Sequence, residues 1–526
     1  MLKDYSSKTE AQENGEESNG LYRFYSIVLG PIIDDRKKGW SLIGLMFLLF
    51  VAACVLMVTR SVPIKMLPFD NKNELQVVVD PPEGTSLERT DAIARKLARV
   101  ISNTPEVKDL EIYTGLSSPM DFNGMVRHSF LRKGPNVADI RINFVGKKRR
   151  SLHSHEIALQ LRDQLESLAK AEGIRIKIVE VPPGPPVLST ITVEVYGQAG
   201  TPYSSIQDAA KAVEARLSLE PGVSDIDSTV EDESTRYIFV TDKEKAALSG
   251  VSSEDVNRTI GVALTGHNVS RLHLPQEVNP LNIRLRLPRN ERSGLAPLKG
   301  VSVVGRSGIA KIRDRGSLRD APTPIVHLGE IGQFKKLKVE KSIYHKDLLP
   351  VAFVYAEPVG RAPAEVVSDI AADLQKSIPK GEVAVRPISE RTFLSNGGGI
   401  PWTIPERTYL NWFGEGELNI TVDVFRDLGI AFAVALIGIY FILVYQTGSY
   451  TMPLVLMISI PLTIIGIMPG FWMLNAFSSD VIGTYTNQTF FTATAMIGMI
   501  ALSGIAVRNA ILLIEFVHIS VARGVS

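Results

Sequence analysis

The sequence has 526 residues, of which 45% are apolar, 21% charged and 7% aromatic; 57 basic side chains stand against 56 acidic ones, a net charge of +1. That length excludes a single small module, the balanced charge offers no basic stripe for nucleic acid, and one cysteine, Cys54, excludes both an intrachain disulfide framework and a Cys-rich zinc or iron–sulfur site. A mean hydropathy of +0.10 with so many charges requires a segregated chain, apolar stretches beside polar ones.

Residues 1–20 are polar and read as a disordered N-terminus. Residues 21–39 read as a cytoplasmic interfacial segment: LYRFYSIVLGPII is amphipathic, and Arg36, Lys37 and Lys38 abut the membrane and hold this end in the cytoplasm. A first transmembrane helix is expected at 40–59 (WSLIGLMFLLFVAACVLMV), too long for a signal h-region and followed by no small-residue cleavage site.

A strand–helix–strand grammar then repeats. The first unit has a strand at 75–79, the turn PPEGT, a helix with Ile93, Leu97 and Val100 on one face, and a strand near 110–113. Thr85 and Glu88 are spaced as a capping box for that helix. The second unit has a strand at 138–145, a helix carrying Ile157, Leu161, Leu165 and Leu168, and a strand at 174–181. A third begins at 191–196, with a helix opening at Thr201-Pro202, and a fourth at 351–355, with a helix opening at Pro363 and a closing strand near 383–385. Four such units make two split βαβ sandwiches of ferredoxin-like type, one contiguous at 62–185, the other split between 186–232 and 346–395. The β-rich, Gly-containing stretch 235–345 reads as an inserted subdomain, and 396–427 as a linker back to the membrane.

Three more transmembrane helices are expected, at 428–446, 453–474 and 489–516; the first two are joined by a tight cytoplasmic hairpin, QTGSYTM. Four buried helices of a soluble protein are the alternative, but core helices are usually shorter and keep a polar stripe. The expected fold class is therefore a four-helix membrane protein with a large α+β exterior region. Inside the last window, Arg508 interrupts the apolar run MIGMIALSGIAVRNAILLIEFVH. Either the span ends there and the side chain snorkels, or a buried guanidinium requires a carboxylate that no other window supplies.

Motifs for catalysis are missing. There is no GxxxxGK[ST], GxSxG or HExxH. His153-Ser154-His155-Glu156 is the nearest approach to a metal motif, but His side chains two apart at a helix start diverge and lack a third ligand. No enzyme activity, cofactor or metal is expected.

Taken together, these stretches resemble the C-terminal half of an RND-superfamily efflux pump permease of the acriflavine-resistance (multidrug) type. GIAVRNAILLIEF is similar to the tenth transmembrane helix of such pumps, and the stretch from FRDLGIAF to IGIMPG to their eighth and ninth. PPEGTSLERTDAIARKLARVI followed by PEV is similar to the start of a porter subdomain, and VEVPPGPPVLSTITVEVYG to the junction between two. The resemblance implies a proton-driven exporter of amphiphilic compounds, a homotrimer in the bacterial inner membrane with its large region in the periplasm, bound to a periplasmic adaptor and an outer-membrane channel. It implies porter subdomains at 62–185 and 186–232 with 346–395, and a docking subdomain at 235–345.

It also implies that Arg508 and Asn509 lie at the proton-coupling position, where such pumps usually carry Lys paired with an Asp pair supplied by the N-terminal half. Arg in place of Lys departs from that pattern: it would tune carboxylate pKa values rather than carry the proton. Four spans instead of twelve make the missing N-terminal half, or an equivalent subunit, an expected partner. The loop LSSPMDFNGMVRHSF, at 116–130, matches a segment lining the substrate path, so Met120, Phe122, Met125 and Phe130 are the expected substrate contacts, adaptable because thioethers and rings repack around varied ligands. The alternatives are that these side chains pack beneath a long loop, that the chain is a non-transporting remnant or scaffold, or that it is a metal or lipid exporter subunit of the same architecture.

Overall fold

The computed structural model describes residues 20–182, 184, 187–308, 311–378, 384–478 and 480–523. It forms two compact units, Met1–Glu231 with Ser342–Ser526, and Asp232–Lys341. Residues 1–19, expected to be disordered, lie outside the described residues.

The first unit opens with a helix at Gly20–Asp34, then α1 (Arg36–Val58). Asp35 separates them because its carboxylate accepts the Lys37 backbone N–H (2.9 Å) and so caps α1. Leu45, Phe47 and Leu48 of α1 point outward, an apolar face that water does not favour.

A four-stranded antiparallel sheet follows, built from β1 (Glu74–Asp80), β2 (Val107–Leu116), β3 (Lys133–Phe144) and β4 (Arg175–Glu180) in the order β2-β3-β1-β4. Its helices, α2 (Leu87–Ser102) and α3 (Ser154–Glu172), cover one face. Strand alternation puts Leu75, Val77 and Val79 against Ile93, Leu97 and Ile101 of α2 and Ile157, Leu161 and Leu165 of α3. The opposite face carries the buried polar pair Gln76 and Asp139 (3.1 Å). The expected Thr85 cap gives way to Ser86, whose Oγ accepts the Arg89 N–H (3.4 Å); the Thr85 hydroxyl donates to the Pro82 carbonyl instead (2.7 Å).

The second sheet uses β5 (Ile191–Gly197), β6 (Val223–Ser228), β7 (Leu349–Pro358) and β8 (Thr408–Asn411), with a short strand Tyr344–Lys346 at one edge. β7 pairs with both β5 and β6, and β8 pairs with the far side of β5. Helices α4 (Tyr203–Ser218) and α5 (Pro363–Ala372) pack Ile206, Val213, Val366 and Ile370 against Val193, Val195 and Val354. Pro363 opens α5 as expected, but α4 starts one residue late, with Pro202 as its N-cap. Of the closing strand expected near 383–385, residue 383 lies outside the described residues and 384–385 are not strand.

Four arginines and four carboxylates fuse this second module to the end of α1. Arg60, just past α1, donates to both oxygens of Asp369 (3.0 and 2.9 Å). Arg361 (2.8 Å) and Arg391 (3.1 Å) donate to the same carboxylate. Glu220 accepts from Arg216, Arg361 and Arg391 (2.9, 2.7 and 2.5 Å), and Asp373 from Arg216 (2.7 Å) and the Gly398 amide (3.0 Å). Glu365 completes the charge balance, yet among the described residues its only ion pair is with Arg361, at 3.9 Å, and its Oε1 has no hydrogen-bond partner. Burying charge at this density is tolerable because Glu220, Asp369 and Asp373 each have several donors.

α6 (Glu417–Thr447) begins inside the stretch expected as a linker, which also supplies β8. Next come α7 (Met452–Phe477), a hairpin of β9 (Asp480–Ile482) and β10 (Tyr485–Asn487), and α8 (Ala493–Ala522). α7 is broken into shorter helical runs at Ile458 and Thr463, on either side of the run that holds Pro461, whereas Pro469 lies within the continuous run Ile464–Ser478. With α1, these make four helices long and apolar enough to cross a membrane. The β9–β10 hairpin reaches both modules: Thr484 donates to Asp163 of α3 through its backbone N–H (3.0 Å) and hydroxyl (2.7 Å), and the Tyr485 hydroxyl meets Glu166 (3.2 Å) and Ser224 of β6 (3.3 Å). Gly360, at φ +70°, lies against Thr486, where a Cβ would come within 2.9 Å of its carbonyl oxygen.

The second unit has a small core of Ala246, Val251, Val256, Val303, Leu328 and Ile331. Its main ladder pairs Thr235–Thr241 with Gly332–Lys338, and an exposed hairpin pairs His267–Leu272 with Leu281–Leu285.

Candidate functional site

Two places in the first unit carry chemistry that packing alone does not use. The first is Arg508 on α8. It is exposed, and no ion pair or hydrogen bond engages it among the described residues. It lines an open recess with Gly504 and Val507 of its own helix and Ile439 and Gln446 of α6. Glu515 borders the same recess two helical turns on, roughly 10 Å along the axis and so out of contact. Asn509 is exposed beside Arg508.

The second place is the junction of the two sheets beneath the loop 117–132. The predicted contacts divide. Met120 (60% exposed), Phe122 (65%) and Met125 (44%) face outward, and Phe130 is half-buried. The short helix Phe122–Val126, capped by Asp121 accepting the Gly124 N–H (2.6 Å), turns Asn123 and Gly124 inward instead. They back onto a cavity shared with Gln76, Arg132 and Lys177. Arg132 donates to Asp139 (2.6 Å) and pairs with Asp80.

Next to it lies a second cavity of about 110 Å³. His155 lines it, hydrogen-bonded through Nδ1 to Glu180 (2.8 Å) and stacked on Phe69 with ring centroids 3.6 Å apart. Burial alone would raise the Glu180 carboxyl; the neighbouring His155 holds it below the ordinary value. His153 serves α3's first turn, its backbone N–H donating to Glu156 (2.7 Å). No three His, Cys, Asp or Glu converge on one point among the described residues. Arg162 of α3 grips both oxygens of Asp225 (2.5 and 3.0 Å) and so joins the two modules across this floor. Lys65 and Arg127, which line the same cavity, were not legible in the sequence: each sits in an irregular segment, with no periodicity to mark which way it points.

The model of the AcrB/AcrD/AcrF family matches residues 2–386 and 402–525. The chain belongs to the AcrB/AcrD/AcrF family. This is a family of RND efflux permeases, and the fold of four candidate apolar helices with a mixed α/β region is the permease fold. Among its relatives, the swarming motility protein SwrC of Bacillus subtilis is 21% identical over 464 residues, covering 88% of this chain and 36% of its own. The multidrug resistance protein MdtC of Salmonella typhimurium is 19% identical over 534 residues, covering 98% and 43%. The nickel and cobalt resistance protein CnrA of Cupriavidus metallidurans is 21% identical over 449 residues, covering 82% and 35%. A crystal structure of a heavy metal efflux pump superposes with a TM-score of 0.66 at 16% identity, covering 94% of this chain and 44% of that one. The chain thus spans well under half the length of these AcrB/AcrD/AcrF-type relatives.

Proposed function

We propose that the chain provides the elements of the C-terminal half of a proton-driven RND exporter of amphiphilic compounds, seated in the bacterial inner membrane with its α/β region in the periplasm. In this reading 62–185 and 186–232 with 346–395 are ferredoxin-like porter subdomains, and 235–345 is the docking subdomain. The assembly is a homotrimer completed by the N-terminal-half elements, a periplasmic adaptor and an outer-membrane channel. The observation that carries the reading is Arg508: an exposed guanidinium within an apolar helix of a family permease, unpaired among the described residues, calls for carboxylates from other spans. Because Arg does not give up its proton near neutrality, Arg508 acts by holding those carboxylates' pKa values down and releasing them when it moves, with Asn509 beside it. The test is proton-driven efflux by the complete assembly in proteoliposomes. Arg508→Ala is expected to reduce it to the passive leak, and undiminished efflux overturns the assignment.

The exposure of Met120 and Met125 supports a second reading, metal export, since outward thioethers on a loop are available to a soft cation. Met120→Leu with Met125→Leu separates the two. Loss of metal export with organic-compound export intact favours the metal; the reverse, with Phe122 and Phe130 sharing the defect, favours amphiphiles.

A further inference from the structure

The turn between β3 and α3 carries four cations in a row, Lys147, Lys148, Arg149 and Arg150. Lys147–Arg149 form a single exposed 3₁₀ turn, and their three side chains make no hydrogen bond or ion pair among the described residues. Arg150 is tied down: it donates to the carbonyls of Lys72 (2.6 Å) and Leu152 (3.1 Å) and stands over the Phe144 ring, 5.4 Å from its centroid. The carboxylates close by are engaged. Asp70, on which Lys147 also acts through space, pairs with Lys72 (2.8 Å). Glu106 acts on Arg150, and Glu156 accepts the His153 backbone N–H (2.7 Å). Against these carboxylates stand Lys72, Lys147, Lys148, Arg149 and Arg150, an excess of positive charge held on an exposed turn.

The turn sits at the foot of the first module, beside the candidate spans. The Ser154 hydroxyl donates to the Asp70 carbonyl (3.0 Å), on the segment that leads out of α1. His153 and Glu156 border a recess with Phe471 of α7, with Asn487 at the foot of the β9–β10 hairpin, and with Thr494 and Ala495 in the first turn of α8. The tip of that hairpin, Thr484, meets α3 at Asp163, roughly 14 Å further along the helix than Ser154. The start of α3, and the cations just before it, therefore lie level with the end of α7 and the start of α8 rather than with the hairpin's tip. Trp472 and Phe477, exposed near the end of α7, mark the same level, since aromatic side chains gather where hydrocarbon meets water.

We propose that Lys147, Lys148 and Arg149 bind the phosphate headgroups of anionic phospholipids in the leaflet on the modules' side, and so seat the first module on the membrane surface. The planar fork of Arg149 suits two phosphate oxygens, and the two ammonium groups act as mobile point charges. A bilayer surface is the occupant that the placement favours: the turn stands at headgroup height, and its long side chains extend from a backbone that Arg150 anchors. The proposal uses the membrane-spanning part of the reading above and not the exporter part; a chain that exported nothing would be seated in the same way.

The test uses the full chain in nanodiscs of mixed phosphatidylcholine and phosphatidylglycerol. A bimane fluorophore is attached at the exposed position 151 (Ser151→Cys with Cys54→Ser), and a nitroxide quencher is carried near the headgroup end of the acyl chain of one lipid or the other. At equal content of labelled lipid, phosphatidylglycerol is expected to quench about threefold more strongly than phosphatidylcholine, or better, because each basic side chain near an anionic surface is worth about fivefold in association. Raising salt from about 0.1 M to about 0.5 M should bring that ratio towards unity. Lys147→Gln with Lys148→Gln and Arg149→Gln should abolish the preference, and Lys147→Arg with Lys148→Arg and Arg149→Lys should keep it. Equal quenching by the two lipids in the labelled parent, or a preference that survives the glutamine substitutions, overturns the proposal and leaves the turn to solvent or to an acidic protein. Bimane on the native Cys54 of α1 reports the span separately, and quenching there by both lipids alike is expected. If Cys54 is not quenched, the membrane reading falls and takes the proposal with it; if Cys54 is quenched and position 151 shows no preference, the proposal alone falls.

Discussion

Glu365 is the residue whose ionisation costs the fold most plainly. Burial pushes its carboxyl up to about 7, Asp369 adds to the rise, and Arg361 and Arg60 oppose it without contacting Oε1. A carboxyl raised in the folded state favours folding while it is protonated. That contribution is complete below the ordinary value of 4.5 and is lost as pH rises through about 7. The loss is on the order of 3 kcal/mol. Glu365→Gln, which stays neutral, should therefore raise the melting temperature at pH 8 and leave it nearly unchanged at pH 4.5; equal shifts at both would contradict the assignment. Asp369 behaves oppositely. Burial works against its charge, but Arg60, the Gly397 amide and Arg391 hold it below the usual carboxylate range. Asp369→Ala takes from Arg60 its carboxylate and leaves Arg361 and Arg391 to Glu220, an expected cost on the order of 3–5 kcal/mol, visible as loss of protease resistance in the second module. None of this was legible from the sequence. Arg60, Glu220 and the stretch holding Arg361, Asp369 and Arg391 are far apart along the chain, and each charge by itself looks like a solvated surface charge.

Among the elements, what could be read was whatever repeats. Ile157, Leu161 and Leu165 recur at helical spacing and do bury one face of α3 against the first sheet. The apolar windows were visible for the same reason, since a membrane-length run needs no partner to be recognised. Ends and edges were less legible. β8, with the sequence TYLN, has too few residues to show alternation, and its place beside β5 is set by backbone pairing that composition does not encode. The cap of α2 was misplaced by one residue because Thr85 and Ser86 are equally good candidates, and only the turn before them decides which hydroxyl faces the helix. Ser86→Ala should cost about 1 kcal/mol, read as roughly fivefold faster hydrogen exchange in the first turn of α2 with the rest of that module unchanged.

For the whole molecule, the exposed apolar faces of α1, α6, α7 and α8 and Arg508, unpaired among the described residues, both call for surroundings beyond those residues. Gentle extraction followed by native mass spectrometry is expected to recover the chain with lipid and with further spans that bear intramembrane carboxylates. Recovery from lysate as a freely soluble lone species would contradict the membrane reading. In the loop at 117–132, which the resemblance singles out, Asn123 and Gly124 face the enclosed cavity while Phe122 and Met125 face outward, because the local helix geometry cannot be read from the order of residues alone.

The hairpin between α7 and α8 has a mechanical corollary. It spans only Asp480 to Asn487, is followed by a short loop, 488–492, before α8, and is gripped by α3 through Asp163 and Glu166 and by the second sheet through Ser224. A strap so short has almost no slack to absorb a piston stroke of one helix past the other. A displacement of either helix that moved the hairpin would load both sandwiches at once, and Gly360, pressed against Thr486, leaves no room for a side chain at that contact.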